Sequence, residues 1–452
     1  MAVEKPSFFE KANSWLRNSV TIRLLTIGIL ILLLLIPVSM VQDLIREREF
    51  RNTEAIDEVS SKWGNAQTVT GPVLTIPYNA YTKVYEDEDK FKVIQSREYA
   101  HFLPEKLNII GEVVPEMRYR GIYEVIVYKS DLQLSGSFLN PDFDEWKIDS
   151  DDIIWSDALI SLGLSDLRGI QDNVEFNWNG SSIEFSPGIE TNDVINSGIS
   201  LKVPLQALDS SSKQLEFAME LNFNGSSSLS FVPIGKETNV KVNSLWPNPK
   251  FNGAFLPDDR KVDDDGFRAT WDVLHLNRPY PQRFKGATKG IEQSAFGVDL
   301  IVPVDEYQKS MRSAKYAVMF ITLTFLVFFF IQVLNQVRIH PIQYLIVGLA
   351  LCVFYTLLIA LSEHMEFKWS YLISSVSIII MITLYARSVS RSGTLTRLIG
   401  LILVSLYLFI YTIIQLQDYA LLMGSIGLFL VVGIVMYLSR KIDWYSISKT
   451  KE

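Results

Sequence analysis

Six apolar runs stand out along the chain, one near the N-terminus and five after residue 316. They occupy residues 24–41, 317–334, 342–362, 369–386, 398–416 and 419–438. A helix of 18 residues, the length of the first run, is roughly 27 Å long, close to the roughly 30 Å of a bilayer core. Only Gln417 and Asp418 separate the last two runs, and one helix through both would reach about 60 Å. The pattern therefore predicts six transmembrane helices, the last two joined by a tight turn.

The distribution of Lys and Arg indicates how these helices are oriented. If the chain crosses the membrane six times, twelve basic residues fall on one side: Lys5, Lys11, Arg17, Arg23, Arg338, Arg387, Arg391, Arg397, Arg440, Lys441, Lys449 and Lys451. The short loops on the other side contain only Lys368. Because Lys and Arg concentrate in cytoplasmic loops, we expect both termini in the cytoplasm and residues 42–315 on the opposite, periplasmic side.

These two patterns divide the chain into five segments. We expect a cytoplasmic N-terminus at 1–23, a first transmembrane helix at 24–41, an extracytoplasmic domain at 42–315, a five-helix transmembrane bundle at 316–438 and a cytoplasmic tail at 439–452. The first helix is interpreted as an uncleaved signal anchor. Its apolar run is longer than that of most signal peptides, and residues 37–41 (PVSMV) lack a small-x-small cleavage site.

The segment 42–315 is acidic, with 43 Asp and Glu against 29 Lys and Arg, and its pattern is mostly that of β-strands. Strands are predicted at 68–78, 121–128 and 131–138, and hairpins at the Asn-Gly pairs within 174–185 and 215–231. A short helix is expected near 155–167. The predicted fold class is a membrane protein with six transmembrane helices and a large antiparallel β-rich, sandwich-like extracytoplasmic domain.

Two helical stalks are expected to connect this domain to the membrane. The first continues from the first transmembrane helix to Trp63 and ends at Gly64. The second begins after Asp305 as N-cap and leads into the second transmembrane helix.

The residue types that bind metals do not form a recognisable metal site. The chain has four histidines: His101, His275, His340 and His364. The last two flank the third transmembrane helix and are expected on opposite faces of the membrane, too far apart to share an ion. The Asp-rich stretches 142–152 and 263–265 lack the Gly and Glu positions of an EF-hand loop. We therefore assign no metal-ligating residue.

Catalytic and cofactor-binding residues are not assigned either. The sequence contains no G-x-S-x-G, P-loop or Rossmann glycine pattern. Cys352, the single cysteine, lies inside the third transmembrane helix, where a packing role is expected. The later helices have no charged residue in their interiors, only Gln332 and Gln415 near the ends, which argues against an ion-coupled transporter. A net charge of −8 argues against nucleic-acid binding.

Six stretches of the sequence match the motifs of one protein family. They are GPVLTIPY at 71–78, the continuous segment 102–128, NGAFLPDDR at 252–260, LNRPYPQ at 276–282, FGVDLIVPVDEY at 296–307 and the segment 340–364. In these stretches the chain resembles the CreD family of bacterial inner-membrane proteins. The resemblance implies an inner-membrane location and a role in cell-envelope integrity under a two-component regulator. It implies no catalytic or binding residues.

Two functional hypotheses follow, from different classes. The first is a non-enzymatic inner-membrane protein that supports envelope integrity and whose acidic outer domain binds an envelope protein or glycan. The alternative is a membrane-embedded enzyme, or a lipid-handling or transport factor, that uses the outer face of the helix bundle. Its candidate residues are Glu363, His364, Glu366 and Lys368. Membrane lipid is an expected partner in both hypotheses, and no cofactor is expected.

Overall fold

The computed structural model describes residues 20–87, 90–205, 214–288, 290–302, 306–335, 337, 339–390, 392–416 and 419–440. The chain forms two compact units. The helical unit comprises Met1–Arg51 and Val304–Glu452, and the β unit comprises Asn52–Pro303. Several residues used in the sequence predictions lie outside the described residues: Lys5, Lys11, Arg17, Asp305, Arg338, Arg391, Gln417, Asp418, Lys441, Lys449 and Lys451.

Seven helices are described: α1 (Val20–Trp63), α2 (Glu306–Lys315), α3 (Ala317–Leu334), α4 (Pro341–Ser362), α5 (Phe367–Ser390), α6 (Gly393–Gln415) and α7 (Ala420–Ser439). Six of them, all except α2, contain a stretch long and apolar enough to cross a membrane. This confirms the six helices predicted from the apolar runs.

The two predicted stalks are both helical. Helix α1 continues past its apolar run to Trp63, and its last residues, from Asn52, belong to the β unit. It ends where Gly64 adopts a φ of 141°, a conformation that L-residues with a side chain rarely reach. The second stalk is α2, which is separated from α3 at Tyr316.

The core of the helical unit consists of aromatic and aliphatic side chains with a few buried hydrogen bonds. Phe320, Phe325 and Phe354 are among the largest fully buried residues. The Tyr344 hydroxyl on α4 donates to Gln332 Oε1 on α3 at 2.8 Å. Such interhelical hydrogen bonds take the place of the hydrogen bonds to water that polar groups lose in a bilayer.

The β unit contains two sheets. The first has nine strands: β13 (Pro249–Gly253), β17 (Phe296–Leu300), β11 (Ser228–Phe231), β1 (Gln67–Asp87), β5 (Leu159–Leu164), β9 (Gly198–Lys202) and β8 (Ser186–Pro187) in order, with β2 (Lys90–Phe102) on β1 and β16 (Arg283–Lys285) on β2. The second has eight, in the order β14 (Asp259–Asp263), β15 (Gly266–Leu274), β12 (Glu237–Ser244), β3 (Lys106–Arg120), β4 (Tyr123–Leu139), β10 (Gln214–Ser226), β6 (Glu175–Trp178) and β7 (Ser181–Glu184).

Buried residues from both sheets form one hydrophobic cluster, so the β unit is sandwich-like. Strands β3 and β10 alternate between exposed and buried positions, as expected for strands with one face on a core. Most strand pairs are antiparallel, but β1 pairs with β11 and β3 with β12 in parallel. Both sheets are therefore mixed. The two strands of each parallel pair come from distant parts of the chain and run in the same direction.

Two local predictions were wrong and one was confirmed. Asn179 and Gly180 form the tight turn between β6 and β7, with φ of 48° and 85°. Asn224 and Gly225 form no hairpin, because they continue β10 in its ladder with β4. The expected helix near 155–167 is only two short 3-10 turns around the fully buried strand β5, whose residues are covered on both faces.

Candidate interaction surface

One group of exposed apolar residues of the β unit lies on the outer half of the hairpin formed by β1 and β2. Strand β5 pairs with β1 only at residues 69–75, and β16 pairs with β2 only at residues 100–102. Beyond Tyr78, whose bridge to Ile153 is the last sheet contact described, β1 and β2 pair only with each other in the part of the chain that the structure describes. We call residues 79–87 and 90–97 the ribbon.

The ribbon carries apolar side chains that are about half exposed. They are Tyr81, Val84, Phe91, Val93 and Ile94, with exposed fractions between 42% and 55%. Opposite residues of the ladder lie on one face, which places Tyr81, Phe91 and Val93 on one side of the ribbon and Val84 and Ile94 on the other. Clustered exposed apolar groups beside unpaired strand edges are typical of interaction surfaces.

At the inner end of the ribbon, a buried histidine connects the two strands. His101 on β2 lies opposite Thr75 on β1, and the Thr75 hydroxyl is 2.9 Å from His101 Nδ1. His101 Nε2 is 3.2 Å from a carboxylate oxygen of Asp193, and the Phe284 ring packs beside the imidazole. Burial lowers the pKa of His101, and the carboxylate of Asp193 partly opposes that effect.

This row of hydroxyl, imidazole and carboxylate has the order of a catalytic triad but not its accessibility. Thr75 is 2% exposed and His101 is fully buried. A substrate would need to reach the hydroxyl, which the surrounding strands enclose. The row therefore holds the base of the ribbon in one register.

A second polar network, which is partly buried, surrounds the end of α1 in the β unit. The Gln67 amide bonds to backbone groups of Asp166 and Asn224. Arg168 binds the Asp166 carboxylate through two nitrogens, at 2.9 and 2.7 Å, and also donates to the Ser61 carbonyl near the end of the helix. The bonds from Arg168 lower the pKa of Asp166. We call these residues the α1 clamp.

The histidines named in the sequence analysis have separate positions and partners. His340 caps the start of α4, its Nδ1 accepting from the backbone of Ile342, while His101 lies in the β unit. Among the described residues, no group of three or more His, Cys, Asp and Glu side chains is arranged to hold a metal ion.

Three carboxylates of the acidic stretches form ion pairs with basic side chains. Asp142 and Glu145 both bind Arg283, at 2.7 and 2.6 Å. Asp263 lies 3.0 Å from Lys261. These carboxylates are thus engaged in ion pairs of the β unit.

The polar residues at the C-terminal end of α4 are also separated by their contacts. Glu363 ends α4 and lies 3.3 Å from the Arg48 guanidinium of α1. Lys368 lies over the Trp369 ring, and the backbone carbonyl of Glu366 accepts a hydrogen bond from Ser370. Glu363 therefore has a structural partner that the sequence analysis did not anticipate.

Both the ribbon and its histidine were missed from the sequence. A usable signal was present: apolar residues alternate with charged ones between the buried segments GPVLTIPY and AHFLP, as in Val84, Phe91 and Val93. The partnership of His101 with Asp193 had no local signal, because 92 residues separate them.

The helices and sheets together define a multi-pass membrane protein with a large β-sandwich unit. The chain belongs to the CreD family, whose model, described as "Inner membrane protein CreD", matches residues 19–445. A curated relative, Inner membrane protein CreD of Escherichia coli (strain K12), is 34% identical over 425 residues, which cover 93% of this chain and 93% of the relative. The resemblance inferred from the sequence motifs is confirmed, and the chain is a multi-pass inner-membrane protein.

One of those motifs, LNRPYPQ, has a structural explanation. Arg278 is buried, and its guanidinium donates to the carbonyls of Ile234 and Tyr280 while stacking on the Tyr280 ring at 4.2 Å. The Tyr280 hydroxyl lies 2.8 Å from Ser294 Oγ. A buried arginine bonded to carbonyls fixes the path of several segments at once.

Proposed function

We propose that this protein supports cell-envelope integrity without catalysing a reaction, by binding an envelope protein through the ribbon. In this proposal both termini are cytoplasmic and residues 42–315 are periplasmic, in agreement with the distribution of Lys and Arg. The observation that carries the proposal is the set of half-exposed apolar side chains on a two-stranded segment whose outer edges pair with no other described strand.

The chemistry of the ribbon favours a protein partner over a glycan. Val84, Val93 and Ile94 offer aliphatic surface, and the outer edges of β1 and β2 offer backbone N–H and C=O groups in the spacing of a strand. An extended polypeptide can pair with such an edge while its side chains contact the apolar residues. A glycan would gain little from aliphatic side chains of this kind.

Photocrosslinking in intact cells tests the proposal. A photoreactive amino acid at Val93 is compared with one at Ile110, which has a similar exposure, 52% against 50%, but lies on β3 of the other sheet. We expect a discrete protein adduct from Val93 and none of that mass from Ile110. Equal adduct patterns from the two positions would contradict binding through the ribbon.

The orientation is tested separately with a membrane-impermeant maleimide. Cysteine is placed at Gly180, in the exposed turn between β6 and β7, or at Gly393, at the start of α6. In intact cells we expect labelling at residue 180 only, and at both positions after the membrane is permeabilised. Labelling of residue 393 alone in intact cells would reverse the proposed topology.

A further inference from the structure

Helices α1 and α4 touch at two levels of the helical unit. At the first, Gly348 has no side chain, and a Cβ atom there would overlap with Leu34. At the second, Arg48 binds Glu363. The residue number rises along both helices between these contacts, so the helices run parallel over 14 residues of α1, roughly 21 Å.

Between the two contacts the helices leave a groove of about 800 Å³. Val41 and Cys352 are buried at its base, and Met40, Leu44, Leu349 and Val353 line its sides. The exposed fraction of Met40 is 66% and that of Val353 is 53%, so the groove opens sideways on the surface that faces lipid. Its shape is long, apolar and open to the bilayer.

One end of the groove is charged. Asp43 and Glu47 belong to its lining, just beyond the apolar run of α1. Each pairs with an arginine one turn further along the helix, Asp43 with Arg46 and Glu47 with Arg51, both at 2.9 Å. The carboxylates line the groove, and the arginines lie beside it.

We propose that the groove binds one acyl chain of a glycerophospholipid whose headgroup carries an amine. The chain lies between α1 and α4, where aliphatic side chains line the groove. The headgroup lies at Asp43 and Glu47, whose carboxylates attract the ammonium, while Arg46 and Arg51 are placed for the phosphate. This site is separate from the ribbon, and it holds whether or not the ribbon binds a protein.

An anionic lipid of the same chain length is the natural comparison. Its headgroup has the phosphate but no ammonium, so it offers no positive group to the two carboxylates that line the groove. Surface charge contacts of this kind are individually weak, and together they favour the amine lipid by about fivefold.

The test uses the full chain in maltoside micelles with lipids that carry a diazirine on the acyl chain. Phosphatidylethanolamine and phosphatidylglycerol with the same chains are added at equal concentration, irradiated, and the adducts are mapped by mass spectrometry. For each lipid we measure a ratio of adduct yields. The yield on the groove residues Met40, Leu44 and Val353 is divided by the yield on Leu428, Phe429 and Val432, which are exposed on α7. We expect this ratio to be about fivefold higher for phosphatidylethanolamine.

A double substitution tests the role of the carboxylates. In Asp43→Asn/Glu47→Gln, the ratio for phosphatidylethanolamine should fall to that of phosphatidylglycerol. The matched control, Glu54→Gln/Asp57→Asn, changes exposed carboxylates further along α1 and should leave the ratio unchanged. Equal ratios for the two lipids in the unmodified protein, or adducts spread evenly over the groove and α7, would overturn the proposal without any variant.

Discussion

Arg48 and Glu363 form an ion pair, with Arg48 Nε 3.3 Å from the Glu363 carboxylate. The pair connects α1 just past its apolar run to the residue that ends α4. Glu363 is only 12% exposed in its side chain, so the pair is better shielded from solvent than a typical surface ion pair.

Replacing this glutamate should loosen the helical unit. We expect Glu363→Gln to lower the free energy of unfolding by about 1 kcal/mol, because the Arg48 guanidinium loses the charge–charge interaction with this carboxylate. The measurement is the melting temperature of the full chain in detergent, with Glu366→Gln as control. If the loss reflects the pair, the exchanged variant Arg48→Glu/Glu363→Arg should recover part of it; an unchanged melting temperature for Glu363→Gln would contradict this role.

The base of the ribbon should depend on pH. Because burial lowers the pKa of His101 in the folded protein, the unfolded chain takes up the proton first as pH falls. Stability from the neutral imidazole is thus present above about pH 6.5, the ordinary value, and is lost as pH falls below it.

Hydrogen exchange of the backbone amides of Leu74, Ile76 and Ala100 measures this effect. After correction for the intrinsic rate, we expect these amides to be better protected at pH 7.5 than at pH 5.5. The difference should shrink in His101→Gln, which cannot titrate. An equal difference in that variant would assign the pH dependence to another group.

The α1 clamp should contribute substantially to the β unit. Asp166→Asn removes the charge that Arg168 binds through two nitrogens, and it weakens the bond from the Asn65 backbone. We expect a loss of about 2 kcal/mol in the free energy of unfolding, in the range of hydrogen bonds to charged groups. Melting monitored by tryptophan fluorescence checks this, and Asp259→Asn on exposed strand β14 should change little.

Two glycines should differ sharply in their tolerance of a side chain. A Cβ atom at Gly136, inside β4, would overlap with the carbonyl oxygen of Lys106. Gly121 has a φ of 61° and open space around it, in the turn before β4. We expect Gly136→Ala to lose about 3 kcal/mol or more and Gly121→Asn less than about 1, since Asn tolerates this conformation. Resistance of the two variants to limited proteolysis ranks them, and equal resistance would count against the close approach.

The membrane helices were predictable because a bilayer imposes a single requirement. Each membrane span must be apolar over a fixed length and must form its backbone hydrogen bonds within the helix. Both properties are visible in the local sequence. The run 317–334 coincides with α3. The prediction of each membrane helix therefore required no information about the rest of the chain.

The β unit was less predictable because its pairing is not local. The same dipeptide, Asn-Gly, makes a turn at Asn179 and continues a strand at Asn224, where β4 supplies the partner residues Lys129 and Tyr128. The ribbon was missed for a related reason. The alternation of apolar and charged residues around Phe91 indicates a strand, but the exposure of Phe91 also depends on which strands do not extend beside it.

The parallel pairing of β1 with β11 sets an order of events during biosynthesis. Gln67 is matched with Leu229, about 160 residues later, and β11 then needs β17 near the end of the β unit. Strand β1 thus emerges from the ribosome long before β11, and β17 next to it, have been synthesised. Strands that are far apart in the sequence pair slowly, and strands that have not yet paired aggregate readily. We therefore expect the nascent chain to need protection from aggregation with other polypeptides until about residue 300 has reached the compartment in which the β unit folds.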